Sequence, residues 1–336
     1  MPVIDMHSHV NPEHFPEANG RGGGRWPSME HFEPGRARVM IEGKNFRTVG
    51  SSNWDVDRRL EDMEKQGVQA EAISVMPELL SYWFSGSDGL DFSRYMNEQI
   101  MGMCHKKPEN FFGLGMVPLQ EPELATKELA AIKAMGMCGI EIGSNINKRS
   151  IGMPEFVEFF QECEAQDLAV FVHALHPTFL DRLGEPSITG SIGFPTDTAL
   201  TIASFIATGT AEKVPNLRIA FSHGGGSFPF MLPRMGGTWN EAPKAEGAES
   251  KLPRPVHEYA RRFYYDSLLF DRRAVQYLID MMGHTQVMVG TDYPFGVRER
   301  HADDTLQSMG LAKDVLEDIT WKNTFRFLGV GAPVGV

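Results

Sequence analysis

The chain is poor in cysteine: Cys104, Cys138 and Cys163 are the only three in 336 residues, and no two form a CxxC pair. An odd, dispersed set excludes a disulfide framework and argues against a cysteine-ligated zinc site. Positive charge is also short. Lys and Arg number 32 against 44 Asp and Glu, leaving a net charge of −12. That balance opposes general binding to nucleic acid or to an anionic membrane. No apolar run approaches the roughly 18 residues of a membrane span, and no basic segment leads into an apolar one at the start. A cytoplasmic protein is expected. No G-x-G-x-x-G follows a strand-like run and no P-loop occurs, so no organic nucleotide cofactor is expected.

What is present is ordinary in amount and unusual in placement. Hydrophobic residues at 42% and charged residues at 23% suit a soluble globular chain, long enough for one large barrel or two smaller domains. The opening Val3-Ile4-Asp5-Met6-His7-Ser8-His9-Val10 looks like a buried strand ending in two histidines. Alternation along a strand puts His7 and His9 on one face, a natural start for a transition-metal centre. An HxH pair alone is a weak motif and is more often a surface accident. The rest of the chain must supply partners.

From there strand and helix signals alternate. Residues 11–54 form a long connection rich in glycine and proline, expected to act as an inserted loop or lid. Strands are expected near 70–76, 111–117, 138–142, 168–173, 217–222, 262–266 and 286–290. Helices are expected near 55–67, 92–106, 121–135, 154–166, 197–207, 225–239, 272–282, 302–309 and 312–328. With the opening strand this makes eight strands, each followed by a helix, the rhythm of a single (β/α)8 TIM barrel over residues 1–336. A doubly wound sheet is the competing architecture.

A barrel demands that catalytic groups lie at the carboxyl ends of its strands, where the loops converge. His7 and His9 end the first expected strand, His173 the fifth and His223 the sixth, while Asp292 follows the eighth. Five groups suited to metal or proton chemistry thus fall at four strand ends.

That pattern resembles the amidohydrolase superfamily, and in particular its decarboxylating branch. The stretches that carry the resemblance are Ile4–His9, Gly43–Arg47, Met116–Gln120, His223-Gly224-Gly225-Gly226-Ser227-Phe228 through Arg234, and Gly290-Thr291-Asp292-Tyr293-Pro294-Phe295; together they span roughly residues 3–329. The resemblance implies one divalent metal, zinc by analogy with manganese possible, bound by His7, His9, His173 and Asp292. Asp292 is both ligand and catalytic group, and His223 is the acid–base histidine. Relatives with two metals use a bridging lysine at the end of strand four. Here that end reads Ile140-Glu141-Ile142-Gly143, with Lys148 well beyond it, so a mononuclear centre is expected, Glu141 being a lesser candidate ligand.

The resemblance also assigns Arg47 to a substrate carboxylate and Arg234 to the same task from across a homodimer interface. Guanidinium pairs bidentately with carboxylate, which fixes orientation as well as charge. His176 is a further substrate-pocket candidate. The glycines after His223 allow close backbone approach and offer amides to an anion. One departure stands out: His173-Ala174-Leu175-His176-Pro177 and the segment 178–194 lack the tryptophans of the resembled branch. The expected activity is non-oxidative decarboxylation of an unsaturated or aromatic carboxylic acid. A hydrolase or hydratase on the same scaffold, or a non-catalytic binding barrel, are the alternatives.

Overall fold

In the computed structural model, which describes residues 1–239, 252–299 and 301–331, the opening run is a strand over Ile4–Val10, buried at every position. Seven more parallel strands follow it in chain order: Ala70–Val75, Phe111–Gly115, Gly139–Gly143, Ala169–His173, Ile219–Phe221, Tyr264–Asp266 and Val287–Met288. Each pairs in parallel with the next, so spatial order equals chain order. The ring closes through backbone: Met6 N donates to Val289 O (2.9 Å), Asp292 N to His7 O (2.8 Å) and His9 N to Tyr293 O (2.7 Å). That closure rules out the doubly wound sheet, whose strand order must reverse. The fold is a (β/α)8 barrel.

The helices between strands keep the expected order with shifted ends. Val56–Gln66 begins where Asp55 accepts from the amides of Asp57 and Arg58, and it stops at Gly67. The next helix, Gly86–Lys106, starts six residues before the expected boundary because Ser85 caps it through the Asp88 amide. The terminal helix expected over 312–328 is divided into Lys313–Glu317, a π turn at Asp318–Lys322 and Asn323–Leu328.

The largest difference lies in the first connection. Residues 11–54 are not a plain loop: they contain a three-stranded antiparallel meander, Ser28–Glu33, Arg36–Ile41 and Lys44–Gly50. The run Arg36-Ala37-Arg38-Val39 alternates, and Ala37 and Val39 are its fully buried members. Glu42 and Gly43, both at positive φ, make the two-residue hairpin turn between Ile41 and Lys44. Glycine at that position fits a turn whose central residues need positive φ. The meander carries Arg47 to the carboxyl end of the barrel.

Candidate metal centre and pocket

Three imidazoles converge at the carboxyl end of the barrel, and each is tied at its far nitrogen. His7 Nδ1 bonds Asp266 Oδ2 (2.7 Å), His9 Nδ1 bonds the Val75 carbonyl (3.0 Å), and His173 Nδ1 bonds the Ala174 carbonyl (2.8 Å). Those partners accept hydrogen bonds, so the protons sit on Nδ1 and the Nε2 lone pairs point inward. The Nε2 atoms of His7 and His9 lie only 3.1 Å apart. Asp292 Oδ1 stands 3.2 Å from His7 Nε2, 3.1 Å from His9 Nε2 and 3.7 Å from His173 Nε2. His173 Nε2 and Asp292 Oδ1 are buried with no hydrogen-bond partner among the described residues. Lone pairs facing one another in a dry pocket repel unless a cation sits between them. The four donor atoms, all within 4.8 Å of one another, fit a divalent metal with His3Asp ligation.

The electrostatics point the same way. Burial pushes His9 down to about 3 and lowers His173, so both rings stay neutral and free to ligate. Burial favours the neutral form of Asp292, but the surrounding histidines hold its carboxyl well below the usual range. Burial likewise opposes charge on His7, yet the carboxylates of Asp292 and Asp266 push that ring up to about 10. The pocket's two carboxylates require positive charge beside them. A proton on His7 can supply it in the bare protein; a divalent cation at the centre supplies it and leaves His7 as a ligand.

Asp292 and His223 both adopt positive φ, 63° and 56°, uncommon for residues with a side chain. In that conformation the Asp292 amide holds the His7 carbonyl while its carboxylate turns to the imidazoles. His223 places Nε2 3.8 Å from Asp292 Oδ2, and its Nδ1 is buried without a partner among the described residues. It faces the cavity beside the four donors rather than joining them.

Asp266, unnoticed in the sequence, ties the whole arrangement together. Its carboxylate accepts from His7 Nδ1, the His223 amide (2.8 Å), the Gly224 amide (2.8 Å) and the Leu268 amide (3.1 Å). Burial alone would raise it, but His7, His223 and the Gly224 amide keep it below its ordinary value. The glycine turn after His223 therefore spends an amide on Asp266, while the amides of Gly225 and Gly226 return to Ser222 O and His223 O. The expected anion site there is not formed. Gly290 allows the close approach: a Cβ on it would lie 2.6 Å from Asp266 Cβ and 2.8 Å from His7 Cβ. The signal for Asp266 was available, since it ends the seventh strand.

The centre opens into a cavity of about 710 Å³. Arg47 and His176 line it, as expected, together with Glu78, Phe295 and the polar residues Ser187, Thr189 and Ser191. These last come from the segment without tryptophan, which folds as successive short turns at Leu180–Leu183, Pro186–Ile188 and Thr189–Gly193. Arg47 does not stand free: Nη2 pairs closely with Glu78 Oε1, and the guanidinium lies 4.6 Å above the Phe295 ring. Arg234 lies on the surface of Phe228–Thr238, outside the cavity of the single chain. Glu141 is fully buried, with Oε1 3.9 Å from the Nδ1 side of His9, behind the ring rather than before it. Lys148 sits in the turn between Asn145–Ile146 and Arg149–Ser150. Neither belongs to the group of four.

A closed (β/α)8 barrel with an inward His3Asp cluster at its carboxyl face defines a metal-dependent barrel enzyme. The model of the amidohydrolase family matches residues 4–330, and the chain belongs to that family. It is 34% identical over 331 residues to a 2-amino-3-carboxymuconate-6-semialdehyde decarboxylase of Dictyostelium discoideum, covering 97% of this chain and 91% of that one. A gamma-resorcylate decarboxylase of Rhodococcus jostii shares 26% over 71% of this chain and 77% of its own. Among solved structures, a dihydroxybenzoic acid decarboxylase from Polaromonas with bound manganese and 2-nitroresorcinol superposes with a TM-score of 0.76 at 19% identity, covering 98% of this chain and 97% of that one. The chain is thus a carboxy-lyase of the amidohydrolase superfamily, a metal-dependent non-oxidative decarboxylase.

Proposed function

We propose that the enzyme decarboxylates an unsaturated or aromatic carboxylic acid in the catabolism of aromatic compounds, with 2-amino-3-carboxymuconate-6-semialdehyde as the first substrate to test. The observation that carries this reading is the convergence of three Nε2 lone pairs and one carboxylate beside His223, which has a nitrogen free for proton traffic. His7, His9, His173 and Asp292 would hold one divalent ion, zinc or manganese, which would supply Lewis acidity toward substrate oxygens. The absence of a lysine at the end of strand four supports a single ion.

His223 delivers a proton to the carbon that bears the departing carboxylate. As the carbon–carbon bond breaks, carbon dioxide leaves and the bonding pair stays with that carbon, shared with the substrate's conjugated system until the proton is bound. Asp266 fixes His7 and the His223 backbone, so ligand and proton carrier keep one geometry. Arg47 offers N–H donors to the cavity from its place over Phe295, and His176 lines the same cavity. The meander of residues 28–50 covers this side as a lid. A homodimer is supported by the exposed apolar Phe230 and Met231, which share a helix with Arg234. Three free cysteines suit a reducing cytoplasm, and no described helix is long and apolar enough to cross a membrane.

The test is release of carbon dioxide by the metal-loaded protein from this semialdehyde and from a panel of dihydroxybenzoic acids. Hydration or ring opening without gas would replace the decarboxylase with a hydratase or hydrolase on the same centre. Binding without any turnover would reduce the protein to a ligand-binding barrel.

A further inference from the structure

The three inward-facing imidazoles are oriented by three kinds of acceptor. His7 is held by the Asp266 carboxylate, and His9 by the carbonyl of Val75, a strand residue whose pairing with Val10 fixes its peptide. His173 is different. Its Nδ1 bonds the carbonyl of Ala174, one residue past the end of the strand Ala169–His173 and beyond its last pairing, His173 with Gly143. With no strand pairing at that residue, side chains must set the direction of the carbonyl.

The Ala174 carbonyl and the Leu175 N–H belong to one planar peptide group, so fixing either fixes both. Leu175 N donates to Ser144 Oγ (2.9 Å). The next peptide is gripped as well, its Leu175 carbonyl accepting from Asn145 Nδ2 (2.6 Å). Ser144 and Asn145 directly follow the fourth barrel strand, and both donate to one atom, Oδ2 of Asp197: Ser144 through its hydroxyl and Asn145 through Nδ2 (3.3 Å). Asp197 is buried in the first turn of the helix Phe194–Ala207, and one turn on, Thr201 Oγ1 donates to the Ser144 carbonyl (2.9 Å). A serine hydroxyl has a single proton. With that proton committed to Asp197, Ser144 Oγ is left to accept from Leu175 N; without the carboxylate the hydroxyl is free to turn to another acceptor.

We infer that Asp197 is a positioning residue for the metal centre: acting through Ser144 and Asn145, it sets the Ala174–Leu175 peptide plane, and that plane aims His173 Nε2 at the other three donors. The inference rests on the reading of His7, His9, His173 and Asp292 as a metal site. Asp197 is neither one of the four donors nor part of the cavity lining, so its effect reaches the metal only through the peptide.

The test measures the affinity of the metal-stripped native chain and its variants for zinc and for manganese, by competition with a chromogenic chelator. Asp197→Ala and Ser144→Ala should each weaken binding about tenfold, the low end of what a lost outer partner costs a metal ligand, because both act at one remove. Asp197→Asn keeps an oxygen that can accept from Ser144 and Asn145, and it should hold binding near the native value. Asn97→Ala is the control for stability alone. It removes two buried bonds to the Met116 backbone, 3.0 and 2.8 Å long, and should lower the melting temperature without moving the metal constant. Native affinity in either alanine variant of Asp197 and Ser144 overturns the inference, as does an equal loss in Asp197→Asn or in Asn97→Ala. If Asp197→Ala does not fold, Ser144→Ala and Asp197→Asn decide. A native chain that binds no metal removes the metal reading and the inference with it, whereas a native chain that binds metal no better than these variants keeps the reading and removes the role of Asp197.

Discussion

The two ends of the cavity are built on different principles. At the inner end His7, His9 and His173 project from barrel strands, are 0%, 0% and 3% exposed, and have their outer nitrogens tied to acceptors. The loop-borne part of the wall, called the outer end, consists of Arg47, Glu78, His176 and the 187–191 turns; the Arg47 side chain is 38% exposed and stacks on Phe295. A strand fixed on both sides by backbone bonds can hold a ligand to within a fraction of an ångström, as chemistry requires. A connection can change length and composition without disturbing the ring, as a change of substrate requires. On the proposed function, the inner end would carry the reaction and the outer end the choice of acid.

Perturbing each end separately would sharpen or break that division. The largest effect is expected from removing the metal with a chelator, or from His7→Ala. Several kcal/mol of charge stabilisation should be lost, about a thousandfold in carbon dioxide release, with recovery on adding zinc or manganese back to the stripped native chain. Elemental analysis should find one ion per chain; two would contradict the single centre. Next, His223→Asn should cut kcat by roughly 10²–10⁴ while leaving bound metal unchanged, since proton transfer and metal holding are assigned to different residues. Loss of the metal in that variant would merge the two roles.

Asp266→Ala should weaken metal affinity about 10- to 100-fold, seen by competition with a chromogenic chelator, because it releases the outer nitrogen of His7. A normal affinity would show that the barrel alone orients the ring. The smallest effect belongs to the outer end. Arg47→Lys should raise KM on the order of tenfold with kcat nearly held, since the positive charge stays but the fork of donors is lost. A collapse of kcat instead would place Arg47 with the chemistry and erase the contrast between the ends.

Much of the inner end was legible from residue order. Two histidines one residue apart on an apolar run must share a face, and single histidines closing other apolar runs fall at strand ends once the strand–helix rhythm is seen. Asp266 obeys the same rule, ending Tyr264–Asp266, but lacks a histidine partner in sequence to draw the eye. The meander was readable in part: Glu42-Gly43 is a hairpin turn, and Arg36-Ala37-Arg38-Val39 alternates. Its polar, glycine-rich flanks hid that pattern. Glu78 carried no local signal, because its meaning depends on Arg47, 31 residues earlier and on another element.

Periodicity and strand ends, which involve residues within a few positions of one another, determined the barrel, the number of its strands and the set His7, His9, His173, His223 and Asp292. Only the closed ring decided which nitrogen of His7 and His9 faces inward, since that choice is made by Asp266 and Val75 on other strands, whereas His173 is tied by its own neighbour Ala174. Likewise only the packed loops decided that Arg47 meets Glu78. The direction of a lone pair and the neutralisation of a charge are set by atoms a few ångströms away in space, however far apart those atoms lie along the chain.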